Sequence, residues 1–153
     1  MKKVIFSLFV AIIFFSCNKN VVFSEFHEVS NAGWNKDTVF SFEFDITDTL
    51  ATCEIVVMVR NTDDFPRQNL WLGIEITKDN NVFLSDTTNL FLSDDYGKWR
   101  GRGVGSYFDN EFSCKNVTFY KSGKYICNLR HIMRFDDLKG LKYIGLKILK
   151  KND

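Results

Sequence analysis

The side chains capable of chemistry in this sequence are few and far apart. Its two histidines, His27 and His131, have 103 residues between them, and Glu25 adds only one further ligand beside His27. A structural metal site usually needs four protein ligands, so these residues predict no metal centre. No G-x-S-x-G sequence is present, and no base is identifiable for Ser113. We therefore expect no catalytic residue, no metal and no cofactor.

Two pairs of carboxylates remain as candidates for acid–base chemistry. Glu43 and Asp45 are two residues apart, and Asp63 and Asp64 are adjacent. Glycosidases use two carboxylic acids in this way. However, residues i and i+2 on a strand share its solvent face, and acidic residues are common in turns. The pairs therefore predict a solvated surface, and we expect that the protein is not an enzyme.

The N-terminal segment contains the cysteine with the most specific context. Lys2 and Lys3 precede a 12-residue apolar run, Val4–Phe15, which Ser7 alone interrupts. This run has the length of a signal-peptide core and is shorter than the roughly 20 residues that span a bilayer. The small residue before Cys17 resembles the bacterial lipobox, in which the cysteine is acylated and becomes the first residue after cleavage.

Residues 1–16 are therefore predicted to be a lipoprotein signal peptide, with Cys17 as the lipidation site and membrane contact made by lipid. The alternative is an uncleaved or ordinarily cleaved signal with an incidental cysteine. Two or three acyl chains anchor a protein stably, whereas one binds only marginally. Cleavage removes Lys2 and Lys3 from the 20 basic residues and none of the 19 acidic ones. The remaining 18 basic and 19 acidic residues give no excess of positive charge, and so no indication of nucleic-acid binding.

Three further cysteines, Cys53, Cys114 and Cys127, have spacings that match no zinc motif. Cys114 and Cys127 flank a predicted hairpin turn, so a cross-strand disulfide is one interpretation. The other is that the thiols are buried and behave as small apolar side chains.

Hydrophobic alternation defines the elements that must position all these residues. In residues 38–48, large apolar side chains alternate with polar ones, which is the pattern of a half-buried strand. The inward residues are predicted to be Phe40, Phe42, Phe44 and Ile46. A shift of one residue would expose all four, so the register of this strand should be firmly set.

Further strands of similar length are predicted along the chain. They lie at 53–60, 70–76, 82–86, 89–93, 112–120, 125–133 and 143–148, with a hairpin turn at 121–124 and one helical turn at 136–141. Short strands with regular turn signals favour an all-β fold, an antiparallel β-sandwich of the jelly-roll kind in a single domain. We assign residues 38–153 to this sandwich and residues 17–37 to a lipidated tether that leads into the first edge element.

Residues 97–105, GKWRGRGVG, form the most unusual stretch. Glycines at every second position from Gly101 remove side chains from one face, which allows another backbone or a ring to approach. One interpretation is a tightly packed strand. The other is a protein-docking edge formed by Trp99, Arg100 and Arg102, since arginine is enriched at interfaces and open edges bind partner strands.

The tryptophans suggest a second class of function. Trp34 and Trp71, with Trp99, would line a carbohydrate platform if they were exposed together on one surface. Packing in the core or at its rim is the alternative. A polar-lined concavity with tryptophans on its wall would favour ligand binding, whereas an exposed edge or apolar patch would favour protein docking.

Several short motifs occur in a particular order along the chain. They are VVFSEFH at 21–27, Gly33-Trp34 with Asp37, DITDT at 45–49 and VRNTDDFPRQNLWL at 59–72, followed by GKW at 97–99, SGKY at 122–125, HIMR at 131–134 and GLKYIGLKI at 140–148. In this order and spacing, the chain resembles the gliding motility lipoprotein GldH family of the Bacteroidetes. The likeness covers about residues 21–149.

This resemblance implies a membrane-anchored, non-enzymatic component of gliding and of the type IX secretion machinery on which gliding depends. It carries over Cys17 as a functional position and implies other envelope proteins as partners. We expect a scaffold or assembly role, with a sandwich that binds a glycan or small ligand as the alternative. Some surface-exposed lipoproteins of this phylum have an acidic stretch after the cysteine. Its absence at residues 18–20 favours an outer-membrane protein that faces the periplasm.

Replacement of the predicted lipidation site tests the anchor directly. Cys17→Ala removes the thiol that would be acylated, so the variant should fold but no longer partition into membrane. Fractionation of cells that express the variant is the measurement, and a variant that remains membrane-bound would contradict this prediction.

Overall fold

Strands form all the regular secondary structure in residues 20–151, which are the residues that the computed structural model describes. The predicted signal peptide at 1–16 and Cys17 lie outside them. In chain order the strands are β1 (Val21–Glu28), β2 (Trp34–Asn35), β3 (Phe40–Ile46), β4 (Thr52–Thr62), β5 (Asn69–Lys78), β6 (Asn81–Phe91), β7 (Arg102–Val104), β8 (Tyr107–Thr118), β9 (Gly123–His131), β10 (Asp137–Leu138) and β11 (Leu141–Lys150). The described residues contain no helix long and apolar enough to cross a membrane.

The strands assemble into two antiparallel sheets that form the layers of a sandwich. One sheet has five strands in the order β1-β11-β4-β8-β7, and the other has four in the order β3-β9-β5-β6. The short strands β2 and β10 pair with each other. Apolar side chains from both sheets form one core cluster. The prediction of an all-β antiparallel sandwich in a single domain is confirmed.

Strand β3 illustrates how alternation sets the faces of a sheet. Phe42 is fully buried, whereas Glu43 points to solvent and pairs with Lys124 on β9, with 2.6 Å between Nζ and Oε1. Phe40 and Ile46 also face the core, so the predicted inward face is confirmed. Burial of one such side chain contributes roughly 1.5–3 kcal/mol. A slipped register would therefore lose several contributions of this size at once.

The first strand begins earlier than the sequence analysis predicts. Residues 17–37 were assigned to a tether, but Val21–Glu28 pairs with β11 along its length. Phe23 turns toward the core, where its ring centroid lies 5.7 Å from that of Phe44. The strand is hard to recognise in the sequence because it lies at a sheet edge, where polar side chains remain solvated. The sandwich therefore starts with β1 and not at residue 38.

The segment at 121–124 is not a hairpin turn. Strand β8 pairs with β4 and β7, whereas β9 pairs with β3 and β5, so the chain crosses from one sheet to the other. Phe119, which leads into the crossing, is fully buried, and its ring centroid lies 5.2 Å from Phe83 and 4.8 Å from Tyr125. This burial draws the chain into the edge of the core. The hairpin prediction is wrong because turn-forming residues occur both in hairpins and in connections that cross between sheets.

Two other predictions of local structure are also wrong. The two strands predicted at 82–86 and 89–93 are replaced by a single strand, β6, which ends at Phe91. It continues through polar residues because it is the outer strand of its sheet. No helical turn forms at 136–141. Instead Leu138 is fully buried in β10, and Gly140 has a φ of 82°, a conformation that suits glycine.

The three cysteines of the described residues are free thiols. Cys114 on β8 and Cys127 on β9 belong to opposite sheets, so they are not cross-strand neighbours. Cys53 and Cys127 are buried in the core, and burial raises the pKa of the Cys127 thiol to about 12. Cys53 and Cys127 therefore pack as small apolar side chains and do not form a disulfide.

Trp34 and His131 make a polar contact inside the core, where they are 1% and 2% exposed. The indole Nε1–H donates to the Thr38 carbonyl at 2.9 Å, and Nε2–H of His131 donates to the Trp34 carbonyl at 2.9 Å. Nδ1 of His131 is buried without a hydrogen-bond partner. Because its ring is enclosed, Trp34 is not an exposed ligand aromatic, which corrects the expectation from the sequence.

The face assignment of β3 predicts opposite outcomes for two neighbouring substitutions. Phe42→Asp places an unpaired charge in the core and should prevent folding, since such charges are among the most destabilising changes. Glu43→Ala removes only an exposed ion pair and should change the free energy of unfolding by less than about 0.5 kcal/mol. Thermal unfolding followed by circular dichroism measures both, and similar melting temperatures would refute the assignment.

The environment of His131 predicts a loss of stability in mild acid. Burial lowers the pKa of the imidazole, although the hydrogen bond to Trp34 and the charge of Asp137 raise it in part. The unfolded chain therefore binds a proton near its ordinary pKa of about 6.5, before the folded chain does. The free energy of unfolding should fall as the pH drops from about 6.5 to the lowered pKa of the folded state. In His131→Gln this decrease should be smaller in urea titrations, and an identical pH dependence in both proteins would contradict the assignment.

Candidate functional site

A row of side chains crosses the outer face of the five-stranded sheet. Tyr143 on β11 pairs in register with Arg60 on β4. Asp109 on β8 is the register partner of Arg60 on one side and of Arg102, on β7, on the other. Directly opposed residues of antiparallel strands have Cβ atoms about 4.5–5.5 Å apart on the same face. We call these four residues the arginine row.

Arg60 is the fixed centre of the arginine row. Its Nε–H and Nη2–H donate to the two carboxylate oxygens of Asp109 at 2.6 and 2.8 Å, and its guanidinium carbon lies 5.4 Å from the centroid of the Tyr143 ring. The hydrogen bond from Arg60 lowers the pKa of Asp109 and raises that of Arg60 itself. Both side chains are partly exposed, so the pair adds little stability. Its main effect is to hold the guanidinium in one orientation.

A second row of residues lies on the same face of the sheet, two positions along each strand from the arginine row. Phe26 pairs with Gly145, Gly145 with Met58, and Met58 with Glu111. A Cβ atom at Gly145 would lie 2.7 Å from Cδ1 of Phe26 and 2.9 Å from Cε of Met58. The glycine thus lets the Phe26 ring settle against the sheet, with its centroid 6.5 Å from that of Tyr143. Phe26 remains 54% exposed.

The two rows surround an open cleft of about 770 Å³, which we call the outer cleft. Its lining combines aromatic and aliphatic side chains with two basic and two acidic ones, and Arg102 stands at its β7 side. Asp109 is engaged by Arg60, and Glu111 by Lys147 at 2.6 Å. Among residues 20–151, Arg102 makes no ion pair. Its charge is therefore available to a group from outside the domain.

The structure separates the three residues that the sequence predicts as a docking edge. Arg102 is exposed and lines the outer cleft. Nε of Arg100 instead donates to the Ser93 carbonyl at 3.2 Å, beyond the end of β6. The Trp99 ring is half-buried against the core, with its centroid 5.8 Å from that of Phe108.

The alternating glycines allow β8 to approach closely. A Cβ atom at Gly101 would lie 2.8 Å from the Asp109 carbonyl oxygen, and one at Gly103 would lie 3.2 Å from the Phe108 ring. Gly105, with a φ of 62°, occupies the two-residue turn between β7 and β8, where type II′ turns need glycine. The interpretation of this stretch as a tightly packed strand is therefore confirmed for the side that faces β8.

The outer side of β7 has no neighbouring strand among the described residues. This edge is three residues long, from Arg102 to Val104. Val104 is 74% exposed, and Tyr107 at the start of β8 is 44% exposed. The segment therefore combines an open backbone edge with apolar side chains and with the uncompensated arginine of the outer cleft.

The aromatic residues of the outer cleft are not those singled out from the sequence. Trp71 lies 42% exposed on β5, in the other sheet, and Trp34 is buried, so the structure does not bring the tryptophans together. Phe26 and Tyr143 line the cleft instead. In the sequence, both residues fall on the polar face of their strands, which could have marked them as exposed aromatics. Their proximity, however, depends on pairing between β1 and β11, which are distant in sequence.

No group of three or more histidine, cysteine or acidic side chains within residues 20–151 is arranged to hold a metal ion. Among solved structures, the chain is similar to a family GH115 4-O-methyl-alpha-glucuronidase with specificity for decorated arabinogalactans. The TM-score is 0.48 at 8% identity, and the match covers 90% of this chain but only 18% of that one. The likeness is too distant to bear on function.

Comparison with known sequences gives a closer match. The family model for the GldH lipoprotein matches residues 21–148. A gliding motility lipoprotein GldH homolog from Christiangramia forsetii is 30% identical, and the match covers 95% of this chain and 94% of the relative. The gliding motility lipoprotein GldH of Flavobacterium johnsoniae is 27% identical over the same shares of the two chains. The chain therefore belongs to the GldH lipoprotein family and is a membrane-anchored lipoprotein of the cell envelope.

Proposed function

We propose that this protein is a non-enzymatic scaffold or assembly factor of the gliding motility and type IX secretion machinery, and that it binds another envelope protein through β7 and the outer cleft. The observation that carries this proposal is the β7 edge, which has no neighbouring strand within residues 20–151, beside Arg102, which makes no ion pair with any of those residues. The names of the two relatives support the link to gliding motility.

The backbone of β7 suits an extended partner segment. An unpaired strand edge presents free N–H and C=O groups, and a partner strand satisfies them by extending the sheet. The open edge of Arg102–Val104 is short, so side chains must supply much of the affinity. Val104 and Tyr107 provide exposed apolar surface next to this edge.

The charges of the outer cleft indicate which partner side chain would fit. Arg60 is already bound to both oxygens of Asp109, so Arg102 is the group available to a partner. A guanidinium binds a carboxylate through two parallel hydrogen bonds, which gives both energy and orientation. We therefore propose that the partner presents an extended segment with an acidic residue opposite Arg102.

The same surface supports the proposal of a non-enzymatic role. The carboxylates of Asp109 and Glu111 are paired with Arg60 and Lys147. The described residues that line the cleft include no serine, cysteine or histidine to serve as nucleophile or base. We also propose that the anchor is Cys17 in the outer membrane and that the domain faces the periplasm. The absence of acidic residues at 18–20 supports this orientation.

A second candidate function is binding of a glycan or small ligand in the outer cleft. The observation in its favour is the concave surface itself, with Phe26 and Tyr143 on one side and charged groups on the other. Ligand sites combine apolar walls with a few oriented polar groups in this way. Protein docking remains the first proposal because the open backbone edge lies directly beside the cleft.

Reversal of the charge at Arg102 tests the docking proposal. Arg102→Glu should sharply reduce recovery of the partner when the lipoprotein is affinity-purified from the native envelope and the bound proteins are quantified by mass spectrometry. Its melting temperature should stay unchanged, because Arg102 is exposed and makes no ion pair among the described residues.

Arg134→Glu is the matched control, since Arg134 is also exposed but does not line the outer cleft. It should leave partner recovery at the level of the unaltered protein. Equal recovery with Arg102→Glu would count against docking. Saturable binding of a soluble glycan that is lost in Phe26→Ala would favour the second candidate instead.

A further inference from the structure

The distance between the proposed lipid and the folded domain is short. Asn20 already belongs to the sheet edge, because its carbonyl accepts a hydrogen bond from the Lys150 amide at 2.7 Å. Only three Cα steps separate Asn20 from Cys17. Even a fully extended chain spans roughly 11 Å over that distance. An acylated Cys17 would therefore keep this end of the sandwich close to the lipid headgroups.

Two exposed loops lie at the same end as Asn20. The amide of Lys151 donates to the carbonyl of Thr52 at 2.8 Å, which places the start of β4 at the same end of β11 as Asn20. The amide of Leu50 donates to the carbonyl of Phe119 at 3.1 Å, which adds the crossing between β8 and β9 to this group. We call this end of the sandwich the anchor end.

Leu50 is an unusual residue at this position. Its φ is 71°, in the left-handed region that residues with a Cβ atom rarely adopt. Its side chain is 71% exposed, so packing within the domain does not compensate for this conformation. A large apolar side chain at a strained and exposed turn gains from burial only if something outside the domain covers it.

Tyr120 adds an amphipathic side chain to the anchor end. It is 69% exposed in the crossing that begins next to Leu50. Tyrosine is enriched where membranes meet water, because its ring is apolar and its hydroxyl is polar. Val21 and Val22, 37% and 41% exposed at the start of β1, add apolar surface on the side of the anchor.

The charges around these loops suit phospholipid headgroups. Lys121 and Lys151 are exposed, and neither makes an ion pair among the described residues. Lys150 forms an ion pair with Asp48, which lies two residues before Leu50. The negative charge of this loop is therefore balanced within the domain. Basic residues near a membrane surface are attracted to its phosphate groups.

We infer that the anchor end lies flat against the bilayer that holds the lipid, with Leu50 and Tyr120 inserted at the level of the headgroups. This inference rests on acylation of Cys17, as proposed above. It fixes the orientation of the domain as well as its tethering. Arg60 lies eight residues along β4 from Thr52, which is about 26 Å at 3.3 Å per residue. The arginine row therefore faces away from the membrane.

Quenching by brominated lipid tests this orientation. The acylated full-length protein, purified from its native envelope, is reconstituted in phosphatidylethanolamine and phosphatidylglycerol vesicles with brominated or ordinary acyl chains. Tyr120→Trp and Leu50→Trp each add one fluorophore at the anchor end. Val104→Trp is the matched control, because Val104 is 74% exposed on β7 at the other end. The native tryptophans are the same in all variants.

In brominated vesicles, the emission added at positions 120 and 50 should be mostly lost, while that added at 104 should be retained. No extra quenching at 120 and 50, or equal quenching at 104, would overturn the inference. If the proteins do not float with the vesicles, the proposed lipid anchor is contradicted, and the orientation that depends on it is contradicted as well. None of these outcomes depends on Arg102, so the docking proposal is judged separately.

Discussion

The register of β4 between β11 and β8 is the constraint on which both faces of the five-stranded sheet depend. On its inner side, β4 contributes Ile55, Val57 and Val59 to the core. On its outer side, it aligns Met58 and Arg60 with their neighbours on both adjacent strands. A shift by one residue would exchange the two sets. The core therefore fixes the position of the surface groups, and the outer cleft inherits its geometry from packing that lies on the far side of the sheet.

Position within the sheet also explains the distribution of polar residues in the sandwich. The central strands β4 and β11 are apolar on the inner face and carry a few large side chains outside. The edge strands β1 and β6 mix polar and apolar residues, and most of their side chains are exposed or only partly buried. Edge strands with polar side chains resist uncontrolled pairing with other chains. Against this background, β7 differs because it is only three residues long and contains a glycine, with Val104 exposed beside its open edge.

Local patterns in the sequence predicted the fold class and the faces of β3, because alternation is a property of neighbouring residues. The hairpin expected at 121–124 failed because a turn and a crossing use the same residues, and only the burial of Phe119 distinguishes them. The arginine row was beyond prediction for a related reason. Its members approach one another through strand pairing between segments far apart in the chain, and a sequence pattern carries no direct information on that pairing. Arg102 was predicted as a docking residue, but Arg60 and Tyr143, the other members of its row, were not singled out.

The position of β11 has a consequence for the order in which the domain can fold. This strand, formed by residues 141–150, lies between β1 and β4, so the earliest strand of the domain has its partner only in the latest one. Until β11 is in place, the five-stranded sheet has no strand to join β1 to β4. Contacts between segments so distant in sequence form slowly, because closing the long loop between them costs conformational entropy. The topology therefore makes completion of the five-stranded sheet depend on strands from both ends of the described domain, so that it is a late event in folding.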